Sequence, residues 1–278
     1  MSACGRRRLL VVNADDFGFT RDVNSGIVEA HRNGILTAAT LMANGEAFDD
    51  AVRLALETPS LDIGAHLVLA GGRSVRPPHD PLPATMSGLV HRILSRQLAI
   101  GDEMRSQAEK ILSAGITPTH LDTHKHTHLL PPVLEAVARL SEEFRIPWVR
   151  RPFDFPMGAP GAVPWLWKAL HGGMKLVRPN FHRVLKRHGC RTTDHFAGFR
   201  MTGRLRAREL ALLVASLPPG STELMVHPGH CTGELCAART RLKESREEEL
   251  RALTSPEARK ALDDHQVRLA RFSDLDAY

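Results

Sequence analysis

Four histidines and an aspartate fall within nine residues, His120 to His128, reading HLDTHKHTH. Imidazole is the commonest side-chain ligand of transition metals, and ordinary protein surface is rarely this rich in it. A second polar cluster, NADDFG at Asn13 to Gly18, sets two adjacent carboxylates behind the apolar run Leu9 to Val12. Carboxylates after one strand and imidazoles after another are the parts of a metal site assembled from distant stretches of chain. One carboxylate and two imidazoles hold a divalent cation and leave positions open for water and substrate. Such an ion lowers the pKa of its water and polarises a carbonyl. A second carboxylate off the ion can take the water's proton, and a histidine opposite can protonate a leaving amine. An arginine beside the base keeps it ionised. The chemistry these parts serve together is hydrolysis of an amide or ester.

Such groups need a scaffold that converges them, and the chain alternates short apolar runs with helical patterns. Leu9–Val12, Thr37–Met42, Leu61–Leu69, Pro118–Asp122, Pro147–Arg150, Thr222–Val226 and Val267–Phe272 read as strands. Val23–Arg32 has one apolar helical face and stops at Asn33-Gly34. Further helices are expected over Ala47–Leu56, Leu89–Ala99, Asp102–Ser113, from Pro131 to Phe144, over Arg204–Leu217 and Ser245–Leu253, and from Pro256 to about Asp264. Gly71–Gly88, rich in Pro and Gly, reads as loop, and Pro152–Gly189 has no clear period. Repeated β-then-α implies a parallel sheet with helical crossovers, either a barrel or an open doubly wound sheet. No G-x-G-x-x-G follows the first strand and no Walker A sequence is present, which disfavours dinucleotide and P-loop folds.

In parallel α/β folds the active site lies at the C-terminal strand ends. Five expected strands end in polar residues: Asn13, Asp15 and Asp16; His66; Asp122, His124, His126 and His128; Arg150 and Arg151; and His227. Adjacent strand residues face opposite ways, so Asp15 and Asp16 share a site only if the strand bends. Ordinary readings exist for each group. The two aspartates suit an Asx turn before Gly18. His66 among apolar neighbours suits a hydrogen-bonded core histidine, and His227 in HPGH a turn residue. The histidines of HLDTHKHTH cannot all reach one ion, so some must support from behind or sit at the surface, and His126 and His128 are candidates for hydrogen bonding alone.

The bulk properties set limits. The chain has 278 residues, 42% hydrophobic, with no linker, repeat or low-complexity block, and reads as a single domain over 1–278 with a less regular insertion at about 152–195. A net charge of +6 spread along the chain, with a single tyrosine, suits a mildly basic enzyme and argues against a nucleic-acid partner. Four cysteines are too few to staple the fold, and the apolar run behind Arg6–Arg8 is too short for a signal segment, so a cytoplasmic location is expected.

Two other function classes compete. His120-x-Asp122 with a distant His227 mimics the two-histidine, one-carboxylate set of non-haem iron oxygenases. Those sit in jelly rolls, which the helical patterns here do not suit. A non-catalytic metal-binding protein would have no use for the paired carboxylate, the arginine and the distant histidine.

The motifs LLVVNADDFG, GIVEAHRNGILTAATLMANG (Gly26 to Gly45), IGAHLVL around His66, THLDTHKHTH (Thr119 to His128) and ELMVHPG near His227 together resemble the YdjC-like carbohydrate deacetylases over most of the chain. The resemblance implies a distorted TIM-like (β/α) barrel and metal-dependent removal of acetyl groups from N-acetylated amino sugars. By position it implies Asp16, His66 and His124 as metal ligands, Asp15 as general base, His227 as the acid and Arg150 as the group bracing the base. The ion would be zinc or magnesium, with manganese, cobalt and nickel as alternatives. HPG stands where the family often has HPA, and Lys125 replaces a frequent glutamine or histidine; neither is a proposed ligand. VRRPFD and DHFAGFRMTGRL (Asp194 to Leu205) resemble a subgroup associated with hopanoid lipid biosynthesis, which implies an amino sugar carried on a lipid. A peripheral membrane contact through Trp165–Arg187 would follow from such a substrate, and a homodimer is compatible with the chain.

Overall fold

The computed structural model describes residues 7–156 and 165–277. In chain order the elements are β1 (Arg8–Phe17), α1 (Arg21–Asn33), β2 (Ala38–Leu41), α2 (Phe48–Leu56), β3 (Asp62–Leu67), α3 (Met86–Leu94), α4 (Ile100–Ser113), β4 (His120–Thr123), α5 (Pro131–Phe144), β5 (Trp148–Val149), α6 (Trp165–Arg187), β6 (His195–Ala197), α7 (Ala207–Ala215), β7 (Gly220–Val226), α8 (Gly233–Ala237), α9 (Glu244–Leu253), α10 (Pro256–Asp264) and β8 (Val267–Leu269). Local chemistry sets several of the helix starts. Thr20 Oγ1 accepts the Val23 N–H to cap α1, Ser255 caps α10 ahead of Pro256, and α5 opens on Pro131.

The strands form one parallel sheet in the order β5-β4-β3-β2-β1-β7-β6, with β8 also paired to β1. It curls into a distorted α/β barrel with helical crossovers. Among the described residues, its β5 and β6 edges are linked through the isolated bridges Trp148↔Arg191 and Asp154↔Phe196. The fold is therefore the expected one, with differences in detail. Residues 165–187 are helical, although Pro179 inside the helix had obscured the period. The side chains of residues 165–175, on which the expected lipid-facing role of Trp165 rests, lie outside those described. No helix among the described residues is long and apolar enough to cross a membrane.

Strand alternation explains where polarity goes. Leu10, Val12 and Ala14 of β1, Ala65 and Leu67 of β3, Leu121 of β4, and Leu224 and Val226 of β7 join the large core between sheet and helices. The alternate residues face the barrel interior. At one end that interior is apolar, closed by Leu9, Val11, Trp148 and Phe272. Toward the C-terminal ends the same alternation delivers Asn13, Asp15, His66, His120, Asp122 and Glu223, all buried. His120 occupies space that only a glycine leaves open. A Cβ on Gly64 would lie 2.6 Å from its ring atoms, and the ring is pinned against Phe272 at 3.9 Å between centroids. Gly64→Ala should therefore destabilise the fold by about 1–3 kcal/mol, read as a lower urea midpoint; an unchanged midpoint would show that the ring is free to move.

Candidate metal centre and active site

The first strand carries the key irregularity. By alternation Asp15 faces inward and Asp16 would face the outer core. The β1–β2 register shifts between Ala14 and Phe17, and Asp16 takes a left-handed backbone with φ 69°. Such a φ is uncommon outside glycine, and aspartate tolerates it better than most residues. The bulge turns both carboxylates to one mouth.

Asp16 Oδ1 lies 3.1 Å from His124 Nδ1 and 3.5 Å from His66 Nε2, and the two nitrogens are 3.2 Å apart. Oδ1 is buried and makes no directed hydrogen bond among the described residues. A four-coordinate divalent ion with bonds of about 2.0–2.1 Å needs neighbouring donors about 3.3 Å apart. The donor types and spacing of Asp16, His66 and His124 fit such an ion. His66 is oriented from behind: its Nδ1 donates to Asp122 Oδ1 at 2.7 Å, so that Nε2 is the nitrogen aimed at the triangle. Thr40 Oγ1 donates to Asp122 Oδ2 at 3.2 Å.

Asp15, His66 and Asp122 form a second close group, but its oxygens are already engaged by an arginine. Arg150 is 1% exposed. It donates through Nη1 and Nη2 to the two oxygens of Asp15 at 2.8 and 2.7 Å and through Nε to Glu223 at 2.6 Å. Its Nη1 also lies 2.6 Å from Asp122 Oδ2. Burial opposes ionisation of Asp15, yet the charges of Arg150 and His66 and the Arg150 hydrogen bonds hold it far below the usual carboxylate range. Burial also raises Glu223 to about 7 despite the same arginine. His227 places Nε2 3.9 Å from Asp15 Oδ2, and burial lowers its pKa to about 4 against the pull of Asp15 and Asp16.

The other histidines separate by position. His128 accepts from Thr123 Oγ1 at 2.6 Å and donates through Nε2 to the Arg150 carbonyl at 3.1 Å, so it props the arginine's backbone. His126, with φ 52°, is buried against Phe199 and lines the cavity. His120 donates through Nε2 to Asn13 Oδ1 at 2.9 Å. The iron-oxygenase triad of His120, Asp122 and His227 is thus corrected. Its members do not converge, because His120 is committed to Asn13 and Phe272, and Asp122 to His66 and Arg150. Two residues that the sequence did not single out also bear on the site. Arg246 Nη2 donates to Asp16 Oδ2 at 2.5 Å, and Glu249 accepts the His227 backbone N–H at 2.6 Å. Their only signal would have been charged residues three apart on a helix face that packs inward.

The triangle opens into a cavity of about 1220 Å³ whose lining includes Asp15, Asp16, His124, His126 and His227. The buried acids draw positive charge into it. Burial opposes a charged His66, but the charge and hydrogen bond of Asp122, helped by Asp16 and Asp15, raise it to about 10. A raised imidazole stabilises the fold fully below its unfolded pKa near 6.5, and that contribution fades as pH climbs toward 10. Glu223 and Glu249, both raised to about 7, lose their own contribution in the same direction but are nearly fully ionised by about pH 8. Cys231, raised to about 11 by burial and by Cys236, begins only above its ordinary 9.0. Chelator-treated protein should therefore still lose urea resistance from about pH 8 to about pH 9, where His66 is the group left titrating; a flat or rising midpoint there would contradict the His66 environment.

Comparisons with known proteins agree with this architecture. The YdjC-like protein family matches residues 9–264. A carbohydrate deacetylase of Brevibacillus brevis is 35% identical over 273 residues, covering 96% of this chain and 99% of that protein. A chitooligosaccharide deacetylase of Salmonella typhimurium is 38% identical over 146 residues, 49% of this chain and 56% of that one. Among solved structures, a candidate cellobiose-phosphate cleavage protein from Enterococcus faecalis superposes with a TM-score of 0.75 at 21% identity, covering 97% of this chain and 99% of that one, a likeness of fold. The chain belongs to the YdjC-like family.

Proposed function

We propose that this protein is a metal-dependent carbohydrate deacetylase that hydrolyses the acetamide of an N-acetylated amino sugar. The observation that carries the reading is the Asp16–His66–His124 triangle with a second, arginine-clamped carboxylate beside it. Relatives named carbohydrate deacetylase and chitooligosaccharide deacetylase support the substrate class. Asp16, His66 and His124 would hold one divalent cation. Two imidazoles and a carboxylate suit zinc better than magnesium, which prefers oxygen ligands. Bound there, the cation would lower the pKa of a water and polarise the acetyl carbonyl.

The protein's own groups supply the rest. Asp15 accepts the proton of the attacking water, and Arg150 keeps it ionised to do so. The same clamp makes Asp15 a weak base, so it works only on a water already acidified. His227 stands 3.9 Å from Asp15 and hands a proton to the nitrogen as the C–N bond breaks. Burial keeps His227 neutral at rest, and Asp15 is the neighbour placed to pass it the proton. The products are acetic acid and the free amine, which separate as acetate and the protonated amine. A large cavity leaves room for more than one sugar ring or for an attached group. The resemblance of VRRPFD and DHFAGFRMTGRL to the hopanoid-associated subgroup supports an amino sugar linked to a lipid, with a cytoplasmic enzyme touching the bilayer at its periphery.

Acetate release from N-acetylglucosamine compounds, soluble and lipid-linked, tests the activity. Asp16→Ala and His124→Ala should lose both metal and turnover. Asp15→Asn should retain metal and lose about 10²- to 10⁴-fold in kcat. Full activity in metal-stripped protein would falsify the metal-dependent reading.

A further inference from the structure

Helix α9 sends two side chains to the barrel mouth one turn apart. Glu249 takes the backbone N–H groups of His227 and Gly203, at 2.6 and 3.0 Å. Arg246, 1% exposed, reaches Asp16. We propose that Arg246 is a positioning residue for the cation: by holding Asp16 Oδ2 it presents Oδ1 alone to the triangle with His66 and His124. The inference rests on those three residues being the cation's ligands.

A carboxylate can turn about its Cβ–Cγ bond and offer one oxygen or both. Here the Arg246 Nη2–Oδ2 contact of 2.5 Å, charge-assisted and buried, fixes that choice. The oxygen left over, Oδ1, is the one that faces both imidazoles and makes no hydrogen bond. The arginine has little else to do in this place. Its Nε donates to the Leu242 carbonyl at 3.3 Å, its guanidinium stands 6.0 Å from the centre of the Phe19 ring, and Nη1 is buried with no hydrogen-bond partner among the described residues. An unmet buried donor is costly, which is hard to reconcile with a residue kept for packing alone. Gly229 packs against its stem: a Cβ there would lie 3.3 Å from Arg246 Cδ and equally close to Val23 Cα. The guanidinium charge opposes a nearby cation. Orientation outweighs this, because the charge is already neutralised by Asp16 itself, and outer partners of metal ligands typically support affinity by about 10- to 100-fold.

The test titrates purified full-length protein with zinc alone and with calcium alone. Arg246→Met keeps the stem and removes the fork. It should weaken zinc about 10- to 100-fold. It should also lower the ratio of zinc to calcium affinity, because a freed Oδ2 offers the two-oxygen grip that calcium accepts. Arg246→Lys keeps the charge without the planar fork and should fall between Arg246→Met and the unmodified protein on both readouts. Circular dichroism confirms folding, and if the methionine variant does not fold, the lysine variant carries the same two readouts. Unchanged zinc affinity in a folded variant overturns the proposal. So do equal losses for both ions, which a merely structural role would produce. Asp16→Ala separates the two levels of inference: if it too binds zinc as the unmodified protein does, the ligand set itself is wrong, whereas zinc loss in Asp16→Ala alone refutes only the role of Arg246.

Discussion

The guanidinium of Arg150 is the charge around which the barrel mouth is built. It sits inside the sheet, out of water, against Asp15, Asp122 and Glu223. Burying any one of these groups alone would cost several kcal/mol. Together they offset one another's charge through a fixed fork geometry that only arginine offers. The strands must then hold their register, because β1, β4, the end of β5 and β7 each contribute one member. Such a network favours specificity over raw stability, since an apolar replacement of like volume would fill the space at lower cost. Its use is to hold Asp15 ionised beside a site that collects positive charge, and, through Asp122, to orient His66.

A second constraint is the bulge at Asp16. A regular strand would split two consecutive aspartates between the barrel interior and the helical layer. The left-handed residue breaks that rule at one position. It gives the site two carboxylates with different surroundings from one dipeptide. One is clamped by Arg150, and the other is shared between Arg246 and the histidine pair. On the proposed reading, that difference in environment, and not residue type, is what would set a proton acceptor apart from a ligand.

Much of this was legible in the chain, and the reasons differ by element. The parallel α/β order followed from apolar runs spaced by helical periods. The polar strand ends followed from Asp15, His66, Asp122, His124, Arg150 and His227 closing those runs, and the structure gathers five of the six around the buried network and places His124 across the triangle. The bulge was needed in principle but could not be located, since a single φ leaves no periodic trace. Helix α6 was missed because Pro179 and two glycines interrupt its pattern. β6 has three residues, too few for alternation to register. Glu223 lay hidden inside an apolar strand, and Arg246 in a helix crowded with charge, where one inward-facing arginine looks like its solvated neighbours. His120 was read as a possible iron ligand because sequence spacing carries no information about Gly64, which opens the space that turns its ring away from the mouth.

The measurement that reaches the central claim most directly is anomalous diffraction at the zinc edge from crystals grown with zinc. The account predicts one strong peak within bonding distance of Asp16 Oδ1, His66 Nε2 and His124 Nδ1, with Asp15 still held by Arg150 and off the ion. A peak elsewhere, or an ion coordinated by Asp15 with Asp16 turned away, would contradict it.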